Sequence, residues 1–364
     1  MSSIALPALA PAPAAARGAL APAAAHFDGG GGYLAACTMG LPTRRTIAAL
    51  RADLDLAATG GASPSEYSAV VERTRAHYAR LVGVHPDRVA IGSQTSVMVS
   101  LIAGAAPRGA EILCVEGDFS SVILPFSAGR GDDVRVRTVP LSSLADEIRS
   151  ETWLVAYSLV QSATGEIADA SAIGAAAARH GALTLCDTTQ ATGWLPVSAG
   201  DHDATVCHTY KWLCAPRGVA FLTLSDRLAA LMRPTQAGWY AGADPWHSCY
   251  GGHAQLADTA RRFDVSPAWQ AFVGAEPTLE LFASLDAAAI REHTAGLADA
   301  FRARLGMPST ASAIVTWTDP EGTDLERLVE AGLVASGRAG RARVAFHVFN
   351  DADDVDRAAR ALGR

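Results

Sequence analysis

Six short apolar runs decide what this chain can fold into. They are RVAIG (88–92), EILCVEG (111–117), DVRVRTV (133–139), TWLVAYS (152–158), ALTLCD (182–187) and DATVCH (203–208), separated mostly by stretches that read as helix. Strands covered on both faces need apolar residues on both, and helical crossovers make such strands run parallel. The pattern predicts an α/β fold around a mainly parallel sheet, with GVAFLTL (218–224) as one more strand. Upstream, apolar residues recur at three- and four-residue spacing from Thr43 to about Gly60 and from Ser65 to Leu81, which predicts two helices. Downstream, a helical pattern from Glu276 to Leu305 leads into strand SAIVTW, a helix near Thr323–Glu330, strand RARVAFHVF and a last helix from Asp351. The expected organisation is a disordered Ala/Pro/Gly-rich arm at 1–32, a large domain at 33–275 and a smaller α+β domain at 276–364.

Composition narrows the partners. A chain of 364 residues, 49% of them hydrophobic, can bury a large core, and a net charge of -7 with scattered arginines predicts no nucleic-acid partner. No apolar run reaches the length of about 18 residues that a membrane span needs. The first 25 residues lack the charged start and unbroken apolar centre of a secretory signal. Six cysteines without a Cys-x-x-Cys pair predict reduced thiols in a cytoplasmic protein, and ten histidines without ligand spacing predict no metal site.

The basic residues carry a sharper signal. Of 30, 29 are arginine and one is Lys211, in TYKWLCAPRG. A guanidinium can replace an ammonium in a surface ion pair, but it cannot lose its proton and attack a carbonyl. Lys211 is therefore either a Schiff-base nucleophile or the chance survivor of an arginine-rich coding bias.

Ligands of open parallel sheets bind beyond the carboxyl ends of the strands, and three such ends hold polar residues. GSQTS (92–96) offers free N–H groups at a helix start to a phosphate, or else simply caps that helix. Asp187 closes a strictly apolar run, with Gln190 one turn on; an acid there could keep a pyridine nitrogen protonated or serve as an N-cap. His208, Thr209 and Tyr210 lead directly into Lys211.

The segments DTTQATGWLP, TYKWLCAPRGVAF and RARVAFHVFNDADDVD together resemble the aminotransferase class V family of fold type I pyridoxal-phosphate enzymes, from about Tyr33 to the C-terminus. That family includes cysteine desulfurases, kynureninases, isopenicillin N epimerases and carbon-sulfur lyases. The resemblance implies pyridoxal 5'-phosphate as cofactor and an amino acid as substrate. It implies Lys211 as the residue that holds the cofactor as an internal aldimine, Asp187 as partner of the pyridinium nitrogen and Gln190 as donor to the phenolic oxygen. Ser93, Gln94 and Thr95 would form the phosphate turn, with His208 and Tyr210 in positions where many relatives have Ser and His. Phe119 would stack on the ring, unless it is a core phenylalanine. Arg343 would fork onto the substrate carboxylate, with Arg341 two residues away as the other candidate. Ser266 would reach the phosphate of a neighbouring subunit, which implies a homodimer.

The desulfurase cysteine has no counterpart, because no cysteine follows Cys249. WLCAPRG looks most like the epimerase and carbon-sulfur lyase branch, so transamination, β-elimination and epimerisation stay open, as does a non-catalytic scaffold. The aromatic segment 236–253, with Trp239, Tyr240, Trp246, His247 and Tyr250, would line the mouth of the site or form a dimer contact.

Overall fold

The computed structural model describes residues 20–364. Its centre is a seven-stranded sheet of β1 (Val89–Gly92), β2 (Glu111–Val115), β3 (Arg135–Val139), β4 (Thr152–Ser158), β5 (Leu183–Asp187), β6 (Ala204–His208) and β7 (Ala220–Leu224), in the order β1-β7-β6-β5-β4-β2-β3. Only β7 runs antiparallel to its neighbours. The six runs thus form the strands expected of them. Six strands are buried at nearly every position, and the seventh, β3, closes an edge with exposed Arg135 and Thr138. Alternate residues feed two cores: Ile91, Leu113, Val155 and Cys207 face one, while Ala90, Ile112, Leu154 and Val206 face the other.

Helices α1 (Arg44–Ala58) and α2 (Pro64–Leu81) precede the sheet. Thr43 caps α1 through its side chain, and Pro64 opens α2, where a missing N–H costs nothing. Between the strands lie α3 (Thr95–Ala103), α4 (Ser120–Arg130) and α5 (Ala170–His180), and the short α6 (Asp226–Ala229) follows β7. Arg75 of α2 reaches the Val89 carbonyl of β1 and the buried Asp264, which in turn accepts from Ile91 N–H at 2.8 Å. This ion pair fixes the strand from which the GSQTS turn departs.

Two expectations are corrected here. The helical pattern from Glu276 to Leu305 is two helices, α7 (Trp269–Ser284) and α8 (Ala287–Arg304), because the backbone turns extended at Leu285 and Asp286 caps the second on Ala288 N–H. The boundary expected near 275 falls within α7, which packs on α1 and α2. The arm expected to be disordered through residue 32 is ordered from 20 on: residues 20–24 are helical, and Leu20, Ala23 and Phe27 are buried. Three apolar side chains at helical spacing outweigh the surrounding alanine. Residues 1–19, the rest of that expectation, lie outside the described residues.

The C-terminal unit is a three-stranded antiparallel sheet of β8 (Ile314–Thr318), β9 (Ser336–Arg338) and β10 (Arg341–Ala345), in the order β8-β10-β9, with α9 (Thr323–Glu330) and α10 (Ala352–Ala361). A capping box from Asp351 starts α10. Residues 30–35 join this unit: Leu34 N–H donates to the Val334 carbonyl, Ala345 N–H to the Leu34 carbonyl, and Gly32 N–H to Asp354. No helix among the described residues is long and apolar enough to cross a membrane.

Candidate active site

The carboxyl ends of β1, β5 and β6 converge. Between them opens a pocket lined by Gln94, Thr95, Ser96, Phe119, Ser121, Thr189, His208, Tyr210, Lys211 and Arg217.

Lys211 leaves β6 on a loop held from several sides. Gly40 N–H donates to the Tyr210 carbonyl, Thr209 Oγ1 to the Val219 carbonyl, Trp212 Nε1 to Gln190 Oε1 and Thr278 Oγ1 to the Leu213 carbonyl. Two glycines let other backbone approach. A Cβ on Gly40 would press on the Lys211 carbonyl, and one on Gly193, at φ 114°, would lie 2.7 Å from the Trp212 carbonyl.

So gripped, Lys211 is only 6% exposed. Burial pushes its pKa down to about 8, against the opposing pull of the Asp187 carboxylate. Asp187 is itself buried, and its pKa is pushed up to about 6 by desolvation although Thr189 hydrogen-bonds it. Its Oδ1 accepts from Thr189 N–H at 2.8 Å. It closes a turn after β5 rather than capping a helix.

The turn expected to take a phosphate joins β1 to α3. Gln94 is the N-cap of α3, and its side chain makes no capping bond. Thr95 is buried at the first helical position; Ser93 is half-buried just before it. Phe119 is 40% exposed with Lys211 Nζ 5.3 Å from its ring centroid, so it faces the pocket and not the core. Asp118 holds it there, accepting from Phe119 N–H and from both the N–H and hydroxyl of Ser158.

His208 is buried, and burial with Arg217 and Lys211 nearby lowers its pKa to about 4, so the ring is neutral. Its backbone N–H donates to Thr189 Oγ1, and its ring packs on Tyr210 with centroids 4.4 Å apart. Gln190 is buried with its amide engaged: Nε2 donates to the Cys37 carbonyl at 2.9 Å and Ser162 Oγ at 3.1 Å.

Arg343 is 1% exposed. Its guanidinium donates to the Ser162 carbonyl and hydroxyl, Thr38 Oγ1 and Ser336 Oγ, and among the described residues it forms no ion pair. A buried cation with only neutral partners costs several kcal/mol unless an anion joins it. Arg341, by contrast, turns to Thr316 of β8 at the edge of the small sheet. The geometry separates the two arginines.

Ser266 does not reach the Lys211 pocket of its own chain; it is exposed and accepts from Trp239 Nε1 at 3.2 Å. None of the aromatic residues of 236–253 lines that pocket either, and Trp246 and Tyr250 are exposed. Sequence reasoning missed Thr38 and Ser162, whose partner Arg343 lies far along the chain, the single polar residues Asp118, Thr189 and Ser336, and Arg217, which no pattern distinguishes from 28 other arginines.

Comparison with known proteins agrees with this architecture. The model of the aminotransferase class-V family matches residues 59–320. An uncharacterized aminotransferase of Bacillus subtilis, YcbU, is 25% identical over 88% of this chain and 91% of its own length. The isopenicillin N epimerase of Amycolatopsis lactamdurans is 26% identical over 79% of this chain and 83% of its own. The structure of the cysteine desulfurase CsdA from Escherichia coli superposes with a TM-score of 0.82 at 18% identity, covering 95% of this chain and 98% of that one.

Proposed function

The chain belongs to the aminotransferase class-V family, and from that premise we propose that it is a pyridoxal 5'-phosphate-dependent enzyme that deprotonates an α-amino acid at Cα. The observation that carries this is the sole lysine, buried at the strand ends and brought down to about 8.

The residues present fit the cofactor. Lys211 would hold it covalently, Asp187 would keep its ring nitrogen protonated, and Phe119 would cover the ring. Ser93, Gln94 and Thr95, with the uncapped start of α3, would take the phosphate side, next to His208 and Tyr210. Gln190 would contact the ring oxygen once one of its two amide bonds turns over. When bound, the cofactor supplies an electron sink for the pair left on Cα.

The chain's own groups do the rest. Arg343 binds the substrate carboxylate bidentately, which supplies the anion its burial calls for. That contact, made from the small unit, orients Cα toward the Lys211 amine, which removes the Cα proton. Transamination and β-elimination of the carbon-sulfur lyase type are the leading outcomes, with epimerisation as the alternative in view of the epimerase relative. Persulfide transfer through a C-terminal cysteine is not available, since none follows Cys249. Exposed Ser266 fits a homodimer in which it serves the partner's site.

Reconstitution tests the reading: the protein with pyridoxal phosphate gives a visible absorbance band that borohydride abolishes. A panel of amino acids, with and without a keto acid acceptor, then separates the outcomes by product. A folded protein with no such band would favour a scaffold instead.

A further inference from the structure

We propose that Arg217 is the cation that binds the cofactor's phosphate group, using Tyr210 as its platform. The inference rests on the cofactor reading above.

Arg217 lines the same pocket as Lys211, Thr95, Ser96 and His208. Its Cζ lies 4.3 Å from the Tyr210 ring centroid, and Tyr210 in turn packs on the His208 ring at 4.4 Å in a tilted contact that holds the platform in place. An exposed arginine side chain ordinarily gives up much rotamer entropy to hold one position; a planar platform supplies that order in advance. Among the described residues Arg217 makes no ion pair, so no internal carboxylate claims its charge.

The charge balance of the pocket points the same way. A phosphate monoester carries about -1.5 to -2 at neutral pH, whereas the start of α3 offers the equivalent of roughly half a positive charge. Of the residues lining the pocket only Lys211 and Arg217 are basic apart from His208, which burial keeps neutral. The Lys211 amine is committed to covalent attachment. Arg217 is then the one permanent cation left for the phosphate, and Tyr210 contributes chiefly by placing it.

The test uses the full-length chain freed of cofactor, as wild type, Arg217→Met and Arg217→Lys, titrated with pyridoxal phosphate and with pyridoxal, which lacks the phosphate. Tryptophan fluorescence and visible absorbance report binding without turnover. Arg217→Met is expected to weaken pyridoxal phosphate by about tenfold or more while leaving pyridoxal within about twofold, and Arg217→Lys to fall between. Inorganic phosphate should compete with the cofactor in the wild type and less so in Arg217→Met. An unchanged preference for the phosphorylated ligand in Arg217→Met, or equal weakening of both ligands, overturns the assignment. A wild type that takes up neither ligand overturns the cofactor reading together with it.

Discussion

Because the chain contains one lysine, protein grown with lysine labelled at Cε gives a single side-chain resonance, and its pH titration reads Lys211 directly. Burial brings that amine from 10.5 to about 8, roughly 3 kcal/mol against the charged form. At pH 7 about one amine in ten is then neutral, compared with about one in three thousand for free lysine, a gain of ~300-fold in competent nucleophile. Asp187→Asn removes the carboxylate that opposes this shift while keeping an oxygen for Thr189 N–H. The midpoint should therefore fall further, by roughly one unit. Both proteins would be titrated from pH 5 to 11 without cofactor. A wild-type midpoint at 10 or above, or an upward movement in Asp187→Asn, refutes the argument that burial, moderated by Asp187, sets the amine.

Three further outcomes are expected. Burial raises Asp187 from 3.8 to about 6, so the folded state holds the proton more tightly and stability falls as pH rises through that window; the cofactor-free Asp187→Asn protein should melt higher than its parent at pH 7.5, by up to about 3 kcal/mol, and an equal or lower melting point contradicts this. Arg343→Lys should raise KM for the amino acid by about tenfold or more, through lost bidentate geometry, with the cofactor band unchanged, while Arg341→Lys, which loses only contacts to Thr316, should change little; the reverse result assigns the carboxylate to Arg341. Gly40→Ala would place a Cβ 2.8 Å from Cys214 Cα and against the Lys211 carbonyl, costing ~1–3 kcal/mol in thermal stability and displacing the lysine titration; calorimetry and the same resonance check it, and indifference in both shows that the loop is not gripped there.

What could be read from the chain follows a physical divide. Buried strands announce themselves because both faces must be apolar, and Asp187 stood out because a charge ends such a run. Lys211 was legible by its singularity. β9 was not, since Ser336–Arg338 is too short and too polar to differ from a turn. The reversed direction of β7 leaves no mark on composition. The supports of Arg343 were hidden for a different reason: Thr38 and Ser162 lie 305 and 181 positions away from it, and only the fold brings them together.

The pairing of residues 30–40 with the last strand and helix has a consequence for how the molecule is made. Gly32 meets Asp354 across 322 positions, and Thr38 meets Arg343 across 305, while Gly40 of the same segment holds the lysine loop. Synthesis runs from the N-terminus, so the earlier piece waits through the 305 to 322 positions that separate it from its partners. Closing so long a loop is an entropic cost met only at the end. On the ribosome the strands of the large sheet, with Lys211 behind them, emerge well before Arg343, to which we give the substrate carboxylate. A chain made only as far as β7 would hold Lys211 without Arg343, so the carboxylate site proposed above is completed only after β10 has been made.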